Sequence, residues 1–292
     1  MKIVALSLPF PGVSRVLEEG EKLGFFEFVK IQGDRVAIPP ADVYLLGAWH
    51  PTYNNLLTAL DGKIGVLWCS SAGEVDFEPV ERKYLAEIIN NKKIDFVWFG
   101  DKALGEVWGK GFYAPYGMKL LDQYQDQEKK DIVTLFCPPT VKKNLLNQII
   151  AIALLQRKQD LVLHTNIPID SGFAASIKLE YIHHNWLQDK EYRDLIASSK
   201  LNFAVSWAET LNYQSAEAMF LGTLSVMSAA IPWATPHLTV KNSNNALEIA
   251  GRALHILDCS QRTGYTVDEF RRSLVRYFVD ANEHLREALN AL

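Results

Sequence analysis

Short runs of apolar residues recur along the chain, separated by segments of mixed polarity. In the first half, these runs cover residues 2–8, 26–31, 43–46, 64–68 and 94–99. Continuous apolar runs, as opposed to alternating ones, are typical of strands that are covered on both faces. The pattern therefore predicts a parallel sheet with crossover helices.

A second series of the same kind follows a polar, linker-like run at residues 122–130. Two successive series of strands and helices predict two sheets. The second series predicts helices near 140–157, near 190–199 and from about Tyr213, and apolar runs at 131–136, 161–165, 177–183, 201–206 and 223–228.

The two series predict two Rossmann-like domains. We predict an N-terminal domain at residues 1–116 and a C-terminal domain at 117–266. The segment 267–292 has apolar residues at helical spacing with a charged opposite face. It is therefore predicted to be a helix that packs back toward the first domain.

Composition narrows the class of protein. The chain has 292 residues, 48% hydrophobic and 22% charged, which excludes disordered and collagen-like classes. The net charge is −4 and neither half is basic, so no nucleic-acid partner is predicted. Three scattered cysteines argue against a disulfide scaffold or a zinc site and favour a cytoplasmic location. No apolar stretch reaches ~18 residues, so no transmembrane segment is predicted.

The stretch 201–228 carries the most specific chemistry. A polar turn that holds Glu209 follows an apolar strand. A helix then begins near Asn212 or Tyr213 and ends before Gly222, because Asn is a good N-cap and Gly often follows a helix. The first backbone N–H groups of this helix are predicted to point outward at the carboxyl end of a parallel strand, where anions and other ligands bind.

A second glutamate, Glu217, follows Glu209 after seven intervening residues. The spacing alone is weak evidence, since Glu19 and Glu27 share it. Glu217 lies among small and apolar residues, and a buried carboxylate needs partners such as ligand hydroxyls. The alternative is an exposed glutamate on an ordinary amphipathic helix.

These residues resemble the donor-binding motif of retaining GT-B glycosyltransferases, especially glycosyltransferase family 4. The family motif has a Glu, a Phe-Gly turn, a second Glu, Ala-Met and Gly-Thr-Pro. The resemblance covers roughly residues 112–228. The matching residues are Ser206, Glu209, Leu211, Asn212, Glu217, Ala218, Met219, Gly222, Thr223 and Val226, with Lys143-Asn144, the acidic segment 189–195, and Pro115, Tyr116, Gly117 and Met118 for the family's hinge.

The resemblance implies an α/β fold of the GT-B class, in which two Rossmann-like domains face each other across a cleft and the C-terminal helix returns to the first. It implies a hexosyltransferase that uses a nucleotide-diphosphate sugar as donor, with retention and without a metal or other cofactor. The acceptor is a saccharide, a lipid or a protein.

The resemblance also assigns roles to residues of this chain. Lys143 would neutralise the diphosphate and Glu209 would meet the hydroxyls of the donor sugar, as the catalytic pair. Glu217 would bind the ribose hydroxyls, and the amides near Asn212 would face sugar or phosphate. The full set of donor-binding residues is Asn212, Tyr213, Gln214, Glu217, Trp186 and His184, and His50 and Cys69 are the candidates on the acceptor side.

One physical argument supports the role of Lys143. Thr140 is a possible N-cap, which would place Lys143 in the first turn of a helix, where the helix dipole disfavours a cation. A bound anion would remove that conflict, whereas the alternative is a solvated surface lysine. Because carboxyl ends of parallel strands meet at one edge, we predict that Lys143, Glu209, Asn212, Tyr213 and Glu217 converge.

Two other functions remain open. A GT-B-shaped nucleotide-sugar epimerase would need acid and base residues flanking the sugar, and none can be assigned. A non-catalytic nucleotide-sugar-binding protein is favoured by two departures from the family pattern. The segment 135–141 has no basic residue where the family usually has Arg, and no histidine directly follows the run 64–68.

The spacing of the two glutamates generates a binding prediction. Glu217→Gln should weaken nucleotide-sugar binding about tenfold or more, because charge-assisted bonds to two ribose hydroxyls are only partly replaced by an amide. Titration calorimetry on a variant that remains folded by circular dichroism is the measurement, with Glu19→Gln as the variant of matched spacing. Equal affinity for wild type and Glu217→Gln would make the spacing a coincidence.

Overall fold

The computed structural model describes residues 1–32, 36–119, 127–185, 187–262 and 267–292. The chain divides into two compact units, one formed by Met1–Leu120 with Arg276–Leu292 and the other by Leu121–Val275. Each unit contains one six-stranded sheet whose described strand pairs are all parallel. This confirms the predicted pair of Rossmann-like α/β units. Residues 122–126 of the predicted linker lie outside the described residues.

Unit 1 has the strand order β2-β1-β3-β4-β5-β6. The chain leaves β1 for β2 on one side and returns to β3 on the other, so the order reverses between β1 and β3. The strands are β1 (Ile3–Ser7), β2 (Glu27–Lys30), β3 (Val43–Gly47), β4 (Lys63–Trp68), β5 (Phe96–Phe99) and β6 (Gly111–Tyr113). The helices are α1 (Pro11–Lys22), α2 (Tyr53–Leu56), α3 (Ala72–Phe77), α4 (Pro79–Asn90), α5 (Lys102–Val107) and the later part of α11 (Val267–Asn290).

The C-terminal helix returns to unit 1, as the sequence predicts. Phe278 and Leu285 are fully buried there, on the apolar face of α11. The side-chain amide of Asn282 donates to the Met118 carbonyl oxygen (3.1 Å) and accepts from the Met118 N–H (3.1 Å). A Cβ at Gly117 would lie 2.6 Å from Asn282 Oδ1, so a larger residue here would have to displace the Asn282 side chain.

Unit 2 has the strand order β12-β11-β10-β7-β8-β9, which reverses between β7 and β10. Its strands are β7 (Lys130–Leu135), β8 (Val162–Thr165), β9 (Tyr181–His183), β10 (Ser199–Ala204), β11 (Ser225–Ser228) and β12 (Thr239–Val240). Its helices are α6 (Leu145–Gln156), α7 (Ser171–Ile177), α8 (Asp189–Ser198), α9 (Tyr213–Phe220), α10 (Ala246–Arg262) and the first residues of α11.

The sequence did not predict α7, α10 or β12 of unit 2, and two predicted elements of this unit are interrupted. The apolar run 177–183 is not one strand: Ile177 ends α7, Lys178 has a φ of 56°, and β9 begins only at Tyr181. The helix expected at 140–157 is interrupted at Asn144, whose φ is 51°, so that a 3₁₀ turn (Val141–Lys143) precedes α6. In both places a residue in the left-handed region reverses the chain, which apolar periodicity does not reveal.

A buried polar network crosses the middle of the unit 2 sheet. Asn202 on β10 is fully buried. Its Oδ1 accepts from Gln214 Nε2 (2.8 Å) and Thr134 Oγ1 (3.2 Å), and its Nδ2 donates to Ser225 Oγ (2.9 Å). Buried polar groups of this kind destabilise a fold when a partner is removed. Asn202 therefore ties β7, β11 and the first turn of α9 to the central strand.

This network generates a stability prediction. Asn202→Ala should lower the free energy of unfolding by about 2–4 kcal/mol, because the buried Thr134 and Ser225 and the half-buried Gln214 each lose a hydrogen-bond partner. Urea denaturation followed by circular dichroism measures the change. The exposed Asn290 supplies the control, since Asn290→Ala should cost less than about 0.5 kcal/mol. Similar losses for the two variants would mean that the network does not stabilise the sheet.

Candidate functional site

Lys143 and Glu209 meet where the strand order of unit 2 reverses. Lys143 lies in the loop after β7, and Glu209 in the loop after β10, which is the neighbouring strand. The Lys143 ammonium and the Glu209 carboxylate form an ion pair whose side chains are only 12% and 5% exposed. In open α/β sheets, ligands bind at this reversal, outside the carboxyl ends of the strands.

The Glu209 carboxylate is held by neutral donors as well as by the lysine. Its Oε1 accepts hydrogen bonds from Ser206 Oγ (2.7 Å), from Asn212 Nδ2 (3.1 Å) and from Lys143 Nζ. A buried carboxylate is stable only when its desolvation is offset by partners of this kind. Glu209 is therefore the centre of a polar cluster that joins both loops.

The backbone around Lys143 explains why the predicted helix is interrupted. Asn144 is 2% exposed, and its side chain donates to the Ser243 carbonyl oxygen (2.5 Å) and accepts from Asn147 Nδ2 (2.7 Å). The left-handed turn at Asn144 puts Lys143 ahead of α6, outside its first turn. The carboxylate of Glu209 compensates the charge of Lys143.

The start of α9 is hydrogen-bonded to the same cluster. Asn212 is its N-cap, as predicted: its Oδ1 accepts from the Ser215 N–H (2.9 Å), and its backbone is extended, with a φ of −113°. Its Nδ2 donates to Glu209, so one side chain serves the helix and the carboxylate. The side chain of Gln214 donates to Asn202 and thus lies against the sheet.

Glu217 lies one turn further along α9. Its side chain is half-buried, between the fully buried Ala216 and Ala218. Gly222 follows the end of α9 and has a φ of 81°, the left-handed conformation that is common for the residue after a helix. The structure thus places Tyr213 and Glu217 on the helix whose N-cap binds Glu209, and their roles toward a ligand stay predictions.

Cys137 belongs to the site, although the sequence reasoning missed it. It lies two residues after the end of β7 and is half-buried, and its N–H donates to Asn166 Oδ1 (3.1 Å). Burial raises the pKa of its thiol to about 12, while the nearby Lys143 charge lowers the pKa and the Glu209 charge raises it. Its position just beyond a largely buried strand, at the carboxyl edge, was the signal that the sequence offered.

His184 lies in an aromatic cluster at the ends of β8 and β9. Its Nε2 is 2.9 Å from Nδ1 of His164, and the two rings stack at a centroid distance of 5.0 Å. The centroid of the Phe136 ring lies 5.9 Å from that of the His184 ring. Burial lowers the pKa of both imidazoles, and His184 lowers that of His164 further, so both are neutral at neutral pH. Trp186 lies outside the described residues.

In unit 1 the acceptor-side candidates follow two neighbouring strands. His50 comes after β3, where the strand order reverses, and its Nδ1 is 2.7 Å from Thr52 Oγ1. The His50 ring lies 6.2 Å from that of Phe10, which follows β1. Ala48, between β3 and His50, has a φ of 56°, a strained backbone that is common at functional sites. Cys69 follows β4 and is half-buried.

Within the described ranges, no group of three or more His, Cys, Asp and Glu side chains is arranged to hold a metal ion. Of the helices that the structure describes, none has the length and apolarity needed to span a membrane.

Similar folds occur among solved structures. HepE of Anabaena, in complex with UDP and glucose, is 12% identical with a TM-score of 0.69, and the match covers 100% of both chains. TarM is 14% identical with a TM-score of 0.67, over 85% of this chain and 54% of TarM. The pneumococcal O-GlcNAc transferase GtfA, in complex with UDP and GlcNAc, is 10% identical with a TM-score of 0.60, over 85% of this chain and 56% of GtfA.

The chain thus spans about half the length of TarM and GtfA. At these identities the similarity concerns the fold alone, and it confirms the predicted GT-B class of α/β architecture. No protein-family model and no curated protein sequence matches the chain.

The contacts of Cys137 generate a chemical prediction. We expect iodoacetamide to alkylate Cys137 slowly at about pH 8, with a rate that rises about tenfold per pH unit up to about pH 10, because the thiolate is the reactive form. Lys143→Ala should slow the reaction at each pH, since the Lys143 charge lowers the thiol's pKa, and Glu209→Gln should accelerate it. Peptide mass spectrometry measures the rate, with Cys259 as internal reference. Faster alkylation in Lys143→Ala would contradict this geometry.

Proposed function

We propose that this chain is a glycosyltransferase that moves a sugar from a nucleotide-diphosphate sugar to an acceptor, with retention and without a metal ion. The observation that carries the proposal is the cluster of Lys143, Glu209 and the Asn212 cap at the strand reversal of unit 2. A cation beside a helix N-terminus is suited to a diphosphate.

The comparisons support the chemical class of the donor. HepE is described with UDP and glucose, and GtfA is an O-GlcNAc transferase described with UDP and GlcNAc. We infer a uridine diphosphate sugar as the donor to test first. The resemblance of the segment 201–228 to the donor motif of glycosyltransferase family 4 supports the same class independently, and it is the basis for proposing retention.

In the proposed mechanism, this chain's residues act mainly on the departing diphosphate. Lys143 and the first amides of α9, at Tyr213 and Gln214, stabilise the negative charge that develops there. Glu209 holds the lysine in place and meets the sugar hydroxyls, and Glu217 binds the ribose.

The nucleotide pocket and the acceptor side complete the proposal. We propose that His184 and Trp186 line the pocket for the nucleotide. His50 and Cys69 of unit 1 are proposed to receive a saccharide, lipid or protein acceptor.

A non-catalytic nucleotide-sugar-binding protein is the second candidate. It is favoured by the ion pair of Lys143, because this lysine already binds the carboxylate of Glu209, whose side chain is only 5% exposed. The segment 135–141 also supplies no further cation for a diphosphate. Incubation with a panel of nucleotide sugars, with released nucleotide and sugar isomers detected separately, distinguishes transfer, epimerisation and binding alone.

Glu19→Gln, the variant of matched spacing, is not a suitable control for Glu217→Gln, because Glu19 is buried. Glu19 is 2% exposed; its carboxylate accepts from the Lys119 N–H (2.8 Å) and pairs with Lys22 Nζ (2.8 Å), so Glu19→Gln would disturb unit 1. Glu269 is an exposed glutamate of α11 within unit 2, and Glu269→Gln is the better match.

The role of the lysine generates a kinetic prediction. Lys143→Ala should lower kcat for sugar transfer from a uridine diphosphate sugar at least tenfold while changing KM less, because its charge matters most as the diphosphate leaves, an effect of about 1.4 kcal/mol or more on the barrier. Initial rates of nucleotide release provide the measurement. Lys158→Ala, at an exposed position after α6, is the control. An unchanged kcat in Lys143→Ala would exclude this role for Lys143.

A further inference from the structure

Gln148 is a buried polar residue on an otherwise apolar face of α6. It is 1% exposed, and its neighbours on the buried side of this helix include Ile149, Ile152 and Leu155. Packing by itself would favour a hydrocarbon side chain here, because an amide must find partners for its donor and its acceptor. The contacts of this amide therefore indicate what it does.

Both ends of the Gln148 amide bind backbone groups of the two site loops. Its Nε2 donates to the carbonyl oxygen of Lys143 (2.7 Å), and its Oε1 accepts from the N–H of Val205 (2.9 Å). Val205 directly follows β10 and directly precedes Ser206, which binds Glu209. One buried side chain thus bridges the loop that carries Lys143 and the loop that carries Glu209.

We propose that Gln148 is a positioning residue that sets the placement of Lys143 relative to Glu209 and so presents the ammonium group to the diphosphate. The last step rests on the proposed function, whereas the placement itself does not. Leucine at this position would leave a buried carbonyl and a buried N–H without their partner. Glutamate would keep the acceptor for Val205 but could not donate to Lys143 when ionised.

The same helix supplies a matched control. Gln156, eight positions along α6, donates through Nε2 to the carbonyl oxygens of Leu161 (3.0 Å) and Glu180 (2.7 Å). Its Oε1 accepts from the Glu180 N–H (3.1 Å). Gln156→Leu also removes side-chain bonds to backbone groups from the same helix, but from a half-buried residue and at the amino ends of β8 and β9, opposite the site.

The first readout is the alkylation of Cys137, which needs no ligand. If Gln148 positions Lys143, then Gln148→Leu should slow the alkylation of Cys137 by iodoacetamide, as Lys143→Ala does. The reason is that the Lys143 charge, which lowers the pKa of the thiol, moves away from Cys137. The double variant Gln148→Leu with Lys143→Ala should react no more slowly than Lys143→Ala alone. Gln156→Leu should leave the rate unchanged even if it lowers the unfolding temperature.

The second readout is the affinity for UDP by titration calorimetry. We expect about a tenfold loss in Gln148→Leu, and a loss at least as large in Gln148→Glu, whose ionised carboxylate would face the Lys143 carbonyl oxygen. Adding Gln148→Leu to Lys143→Ala should cost less than about a twofold further loss. Gln148→Glu also keeps the test open if the leucine variant does not fold.

The two readouts separate the proposals. If the wild type binds no UDP but Gln148→Leu still slows the alkylation of Cys137, the positioning role is supported and the support for UDP as ligand is removed. Equal effects of Gln148→Leu and Gln156→Leu overturn the positioning role, as does an equal loss of affinity with and without Lys143.

Discussion

The buried ion pair of Lys143 and Glu209 is the interaction on which the site of unit 2 depends. Two charges removed from water are stable only if each is compensated and the remaining hydrogen-bonding capacity is also used. Ser206 and Asn212 supply that compensation to the carboxylate. Because Asn212 also caps α9, the position of this helix is coupled to the placement of the charges.

Sheet topology makes this pairing possible. Lys143 and Glu209 are 66 positions apart in the sequence, yet their loops follow adjacent parallel strands. The strand order reverses between β7 and β10, so successive connections diverge there, at the kind of position where open α/β sheets bind ligands. The helices and the buried network around Asn202 hold these two strands in register, and the chemistry of the loops follows from that.

The two units place different chemistry at equivalent points. Where the order of unit 2 reverses, the loops carry a lysine and a carboxylate. Where the order of unit 1 reverses, between β1 and β3, they carry the rings of Phe10 and His50. A charged edge suits an anionic donor, and an aromatic edge with an imidazole suits a less charged group. This contrast agrees with the division into donor and acceptor sides that we propose.

The sequence alone determined the features that depend on neighbouring residues. Apolar runs predicted most of the strands, but not β6 or β12, and the run 177–183 is only partly a strand. The Asn212 cap and Gly222 bounded α9, because capping is set locally. Tertiary structure decided what the polar side chains contact. The interruption of the helix at Asn144, the place of Cys137 beside Lys143, the pairing of His164 with His184 and the bridge made by Gln148 join residues that are mostly far apart along the chain. Buried donors and acceptors pair with whatever the folded sheet brings within reach, and no local pattern records that choice.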